Sequence, residues 1–229
     1  MIYAKSTAFK YIGRNQRRVI VLLPGWATDC RIFATLNLKF NYLVPVNFHP
    51  PTFAKGLLEK LKESSINKVS LLGWSLGGFV AAEFASKHAN LVDELILISI
   101  RKKYGNEELA EAKELLRENK KAYLYKFYNR CFSRKENMRW FMTNLLRHYC
   151  ETFDTGYLLD LLDYLGYARI TRRLLEPVNK ITIIHGERDK IAPIQEAIDI
   201  KNALGRAKFI PVKDAGHMLF LETDISGAI

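Results

Sequence analysis

The sequence predicts an α/β architecture: a mostly parallel sheet with helices on both faces and an inserted helical cap. Three observations predict it. Short β-rich runs alternate with helical segments, which implies parallel strands joined by crossover helices. Several of those runs are nearly continuous in valine, isoleucine and leucine, as expected of strands covered on both faces. One long interval, about residues 101–175, carries apolar residues at helical spacing and no evident strand.

The strand-like runs fall at residues 18–23 (RVIVLL), 42–48, 68–73, 94–99, 180–185 and 208–212. Helical candidates lie between them at residues 53–62, 76–87 and 194–203. In the insert, Leu109, Ala112, Leu116, Tyr123 and Phe127 recur at helical spacing, and so do Leu158, Leu161, Leu162 and Leu165. Asn106 is the expected cap of the first inserted helix, with Glu107 and Glu108 in its first turn. The expected division is a core of residues 1–100 and 176–229 around a helical cap of residues 101–175.

Composition narrows the class. At 229 residues, 48% hydrophobic and 26% charged, the chain reads as one globular domain. It shows no signal-peptide pattern, and no apolar run approaches the ~20 residues a membrane span needs. Cys30, Cys131 and Cys150 lack CxxC spacing, which argues against a disulfide framework or a zinc site. A reduced, cytoplasmic, monomeric protein is expected. The net charge of +11 anticipates an anionic partner. No nucleic-acid-binding motif accompanies it, so nucleic acid is not the expected one.

Chemistry enters at Gly73-Trp74-Ser75-Leu76-Gly77, a G-x-S-x-G pattern where a strand gives way to a helix with almost no loop. The glycines permit a tight turn that lifts the serine oxygen above the sheet. A nucleophilic serine needs a base, and the base an orienting acid. In the order Ser, Asp, His, the candidates are Ser75, Asp189 in "IIHGERDKIAP" and His217 in "FIPVKDAGHMLFLE". Asp189 and His217 both follow strands, at the sheet edge where open parallel sheets place ligands. Glu187 and Asp214 are the alternative acids; His49, His88, His148 and His185 are weaker bases by position. Oxyanion donors are expected from the N–H of Leu76 and, after the first long strand, of Trp26.

With those residues in view, "LLPGWATDCRIF", "LLGWSLGGFVAAEFA", "HGERDKIAP" and "AGHMLFLE" resemble α/β-hydrolase-fold serine hydrolases. More narrowly, they are similar to the pimeloyl-acyl-carrier-protein methyl ester esterases of biotin synthesis. Pro24 stands where that family has histidine before Gly-Trp, and the family's Gly- and Ser-rich loop after the next strand is missing at Phe48-His49-Pro50-Pro51. The resemblance implies a Ser-His-Asp esterase without metal or organic cofactor, acting on an ester carried by an acidic acyl carrier protein. Residues 117–147 hold nine basic and two acidic residues, and Arg130, Arg134 and Arg139 are the expected carrier contacts. Trp26, Trp74, Phe127 and Phe132 are the expected lining of an acyl pocket. A thioesterase or short-chain carboxylesterase would use the same triad. From another class, a basic adaptor binding an acidic protein or RNA would account for the charge alone.

Overall fold

The structure, a computed structural model, describes residues 7–229. The order is β1 (Phe9–Ile12), β2 (Val19–Leu23), β3 (Asn41–Pro45), α1 (Pro50–Glu63), β4 (Val69–Trp74), α2 (Leu76–Lys87) and β5 (Val92–Ile98). The helices α3 (Asn106–Glu118), α4 (Lys120–Cys131), α5 (Arg139–Phe141), α6 (Arg147–Thr152), α7 (Thr155–Tyr167) and α8 (Arg172–Leu175) follow. The chain closes with β6 (Ile181–Gly186), α9 (Ile194–Leu204), β7 (Lys208–Val212) and α10 (Leu219–Glu222).

The strands form one sheet in the order β1-β3-β2-β4-β5-β6-β7, parallel except for the antiparallel β1–β3 pair. Successive strand residues face opposite sides, and every residue of β3, β4 and β6 is buried, so both faces are covered. The chain leaves β2 for β3 on one side and returns to β4 on the other. That reversal opens a crevice beyond the carboxyl ends of β2 and β4, the usual ligand position in such sheets. Among the described residues, no helix is long and apolar enough to cross a membrane.

Two local expectations need correction. β1 was not anticipated from the sequence: it is an edge strand whose Lys10, Tyr11 and Ile12 are exposed, so it carries neither an apolar run nor an alternation. Asn106 does not cap α3. Gly105 holds the extended cap position, and Asn106 is the first helical residue, making no side-chain cap bond.

The β4–α2 junction depends on close backbone packing. A Cβ at Gly73 would lie 2.5 Å from the Gly77 carbonyl oxygen, and one at Gly77 would collide with the Leu23 carbonyl oxygen and lie 2.6 Å from that of Pro24. These neighbours are backbone atoms and cannot swing aside. Gly77→Ala is therefore expected to lower the unfolding free energy by about 3 kcal/mol or to abolish soluble protein. Gly227→Ala, with open space around it, is the control. Urea titrations of the two variants check this; equal, small effects would contradict it.

Candidate active site

Ser75 links β4 to α2 with φ 53° and ψ −118°, a left-handed conformation that a non-glycine residue adopts only under constraint. The constraint is visible. Its N–H donates to the Ile98 carbonyl at 3.0 Å, and its carbonyl accepts from the Gly78 N–H at 2.9 Å. The side chain is left projecting from the sharp turn at the carboxyl edge of the sheet.

His217 and Asp189 meet it there. His217 Nε2 lies 2.9 Å from Ser75 Oγ, and His217 Nδ1 lies 2.7 Å from Asp189 Oδ2. The imidazole and the Asp189 side chain are fully buried. Asp189 Oδ1 accepts from the backbone N–H groups of Ile191 and Ala192, each at 2.8 Å. Burial alone would push the Asp189 carboxyl up. The hydrogen bond from His217, the nearby His185 ring and the Ala192 N–H outweigh it and hold the carboxyl below its ordinary value. An ionised Asp189 can only accept, so His217 Nδ1 carries the proton and Nε2 presents a lone pair to the Ser75 hydroxyl.

The loop bearing His217 is held from below and from the insert. The His217 carbonyl accepts from Trp74 Nε1 at 2.9 Å and from Ser99 Oγ at 2.8 Å. The Met218 N–H donates to the Cys131 carbonyl at the end of α4, at 3.0 Å. Glu222 Oε1 accepts from the Ser133 N–H and hydroxyl at 2.7 and 2.8 Å, while Oε2 accepts from the Gly216 N–H. Glu222 thus ties the turn before His217 to the inserted helices.

Neither alternative acid reaches the imidazole. Asp214 pairs with Arg188, and Glu187 is exposed. His185 is buried beneath Asp189, with Nε2 2.8 Å from the Ala192 carbonyl and 3.5 Å from Asp189 Oδ2. Burial lowers its pKa, so it stands as a neutral neighbour of the carboxylate.

The Leu76 and Trp26 N–H groups donate to no acceptor among the described residues. Both follow strands that flank the crevice, Trp26 after β2 and Leu76 after β4. The Trp26 ring packs edge-on to Phe127, 4.9 Å between centroids, and its Nε1 donates to the Leu158 carbonyl at 3.0 Å.

A cavity of about 130 Å³ opens beside Ser75. Trp26, Tyr104, Leu109, Phe127, Leu162 and Leu165 form its apolar wall; Glu108, Glu111 and Arg130 supply charge. Two expected lining residues are elsewhere. Trp74 lies under the His217 loop, its indole committed to the His217 carbonyl. Phe132 is buried against Phe141, 5.7 Å between centroids, in the packing of the insert. Arg130 is a cavity residue whose guanidinium also donates to the Lys190 carbonyl at 3.3 Å, whereas Arg134 and Arg139 are exposed away from that cavity. Tyr104 was missed in the sequence, although it follows β5 at the same carboxyl edge. Burial raises its phenol pKa and keeps it neutral.

Residues 17–225 match the family model described as "Alpha/beta hydrolase family". The chain belongs to the alpha/beta hydrolase family. This alpha/beta hydrolase is 27% identical over 169 residues to "AB hydrolase superfamily protein YisY" of Bacillus subtilis, a match spanning 66% of the chain and 60% of that relative. Among solved structures it is similar to an esterase from Exiguobacterium antarcticum (TM-score 0.81, 18% identity, 94% of this chain and 90% of that one). It is also similar to a thermophilic esterase from Thermogutta terrifontis (TM-score 0.78, 20% identity, 94% and 88%). At these identities the structural likeness speaks for the fold.

The lowered carboxyl of Asp189 has a consequence for stability. A carboxyl held low when folded stabilises the protein above the ordinary carboxylate pKa of 3.8, and that contribution is lost as pH falls through the folded value. The stability gap between this alpha/beta hydrolase and its Asp189→Asn variant is therefore expected to narrow as pH falls from about 6 towards 3. Urea unfolding at several pH values checks this; a gap that widens on acidification would contradict it.

Proposed function

We propose that this chain hydrolyses carboxylic esters with a small acyl group, using Ser75 as nucleophile, His217 as general base and acid, and Asp189 as the group that orients and charges the imidazole. The observation that carries this reading is the unbroken hydrogen-bonded row Asp189–His217–Ser75, set beside two unengaged N–H groups.

Ser75 Oγ attacks the ester carbonyl while its proton passes to His217 Nε2. The carbonyl oxygen becomes an oxyanion facing the N–H groups of Leu76 and Trp26, each such donor being worth about 10²–10³ in rate. Collapse expels the alcohol, which takes the proton from His217 Nε2, and leaves an acyl ester on Ser75. Water then attacks that ester, giving its proton to Nε2. The second collapse releases the carboxylic acid and returns the proton to Ser75. Ionised Asp189 offsets the imidazolium charge at both stages.

Cavity size sets the substrate class. A volume of about 130 Å³ is near the ~150 Å³ of a cavity that accommodates benzene, so a group of about six carbons fills it. Two of the structurally similar proteins are named esterases, which agrees with this chemistry. The finer reading, a methyl ester of pimeloyl-acyl-carrier protein, is supported by the sequence motifs and by the basic run at residues 117–147. That ester has a long acyl chain and so departs from the small acyl group above: only the methyl ester and the first carbons of the chain would occupy the cavity.

Ser75→Ala is expected to lose ~10⁶ in kcat on p-nitrophenyl acetate, with the circular dichroism spectrum retained. The wild-type protein should favour acetate and butyrate esters over the decanoate in kcat/KM. Full activity in Ser75→Ala would contradict the mechanism, and a preference for the decanoate would contradict the substrate class.

The carrier reading has its own test. Arg134 and Arg139 are the residues to reverse, because Arg130 lines the cavity. Arg134→Glu with Arg139→Glu is expected to cut kcat/KM for a carrier-bound methyl ester, most at low salt, and to leave p-nitrophenyl acetate unchanged. Equal rates on the carrier ester before and after reversal would remove the carrier from the account.

A further inference from the structure

The Trp26 N–H belongs to the same peptide unit as the Gly25 carbonyl. That unit is planar and trans, so its C=O and N–H point in opposite directions, and whatever fixes the carbonyl aims the N–H. Among the described residues, one partner holds the Gly25 carbonyl: Thr28 Oγ1 donates to it at 3.0 Å, in a fully buried contact. The hydroxyl reaches back three residues because the chain reverses at Ala27, whose φ is 56°. From the insert, the buried Tyr128 hydroxyl donates to the Ala27 carbonyl and holds that reversal in place. On the other side, Gly25 packs so closely on Trp74 that a Cβ there would lie 2.8 Å from the indole ring. The Gly25–Trp26 peptide is thus flanked by the Trp74 ring and held at its carbonyl by the Thr28 hydroxyl.

We propose that Thr28 is a positioning residue for the oxyanion site: its hydroxyl anchors the Gly25 carbonyl and thereby aims the Trp26 N–H at the reacting carbonyl oxygen. Donation into the Gly25 carbonyl also polarises the shared amide and makes its N–H the stronger donor. The inference rests on the reading of Ser75 as nucleophile, since the Trp26 N–H matters only where an oxyanion forms.

The test compares Thr28→Val, which keeps the shape and removes the hydroxyl, with Thr28→Ser, which keeps the hydroxyl. Two readouts are taken: kcat and KM on p-nitrophenyl acetate, and the inhibition constant of butylboronic acid. Ser75 Oγ bonds to the boron while its proton passes to His217 Nε2, leaving a tetrahedral adduct with a boron-bound oxygen where the oxyanion would lie. Complete loss of one oxyanion donor costs about 10²–10³. Misaiming one in Thr28→Val is expected to lower kcat at least ~10-fold with KM little changed, and to weaken the boronate by a similar factor. Thr28→Ser is expected to restore most of both. A purely structural role would lower the melting temperature and leave the kcat of the folded protein and its boronate affinity alone. If Thr28→Val fails to fold, Thr28→Ala makes room instead of an apolar contact and is expected to show the same paired losses. Wild-type kcat and boronate affinity in the folded variant, or equal losses in Thr28→Ser, would overturn the inference while leaving the esterase reading intact. A wild-type protein that neither turns over the ester nor binds the boronate would overturn both.

Discussion

The left-handed backbone of Ser75 is the constraint on which the rest of the site depends. A residue held there costs on the order of 1–3 kcal/mol, and it persists because its surroundings leave no alternative. The preceding strand lies between β2 and β5, the following helix starts at once, and the peptide groups on both sides of Ser75 are bonded to Ile98 and Gly78. The glycines at 73 and 77 are the other half of that fit, since the strand and helix backbones approach too closely for a Cβ. The burial of β4 on both faces thus supplies the free energy that holds the serine out at the sheet edge.

Around that fixed oxygen the site is assembled from three separate loops and the insert. Asp189 and His217 come from the turns after β6 and β7, adjacent strands at the far end of the sheet from β1. Their hydrogen bond is fully buried, where screening by water is weak and an unpaired charge would be costly. The carboxylate is accommodated by two backbone N–H groups and the imidazole together. The inserted helices do more than cover the crevice. Through Glu222 with Ser133, the Cys131 carbonyl and Tyr128, they fasten both the His217 loop and the loop after β2. Damage in the insert is therefore felt by the reacting groups even where no insert residue touches substrate.

Much of this was legible in the sequence, for identifiable reasons. The runs of β2, β4 and β6 are apolar because both faces are covered, and the G-x-S-x-G spacing reports a steric limit. Asp189 and His217 could be placed because each follows a strand that ends at one edge. The hidden parts depend on which way a side chain points. Trp74 and Phe132 read as pocket aromatics, yet one lies beneath the His217 loop and the other inside the insert. Arg130 reads as part of a surface charge run and lines the cavity. β1 left no trace because an exposed edge strand needs no pattern. The Thr28 hydroxyl is invisible in the sequence because its partner is a backbone carbonyl three residues back.

The central claim is that one serine in this chain is a nucleophile activated by its neighbours. Intact-mass and peptide mass spectrometry after exposure to a fluorophosphonate test it most directly. The account predicts one adduct per chain, on the peptide containing Ser75, formed slowly or not at all in His217→Ala. An unlabelled wild-type protein, or an adduct on any other residue, would contradict it.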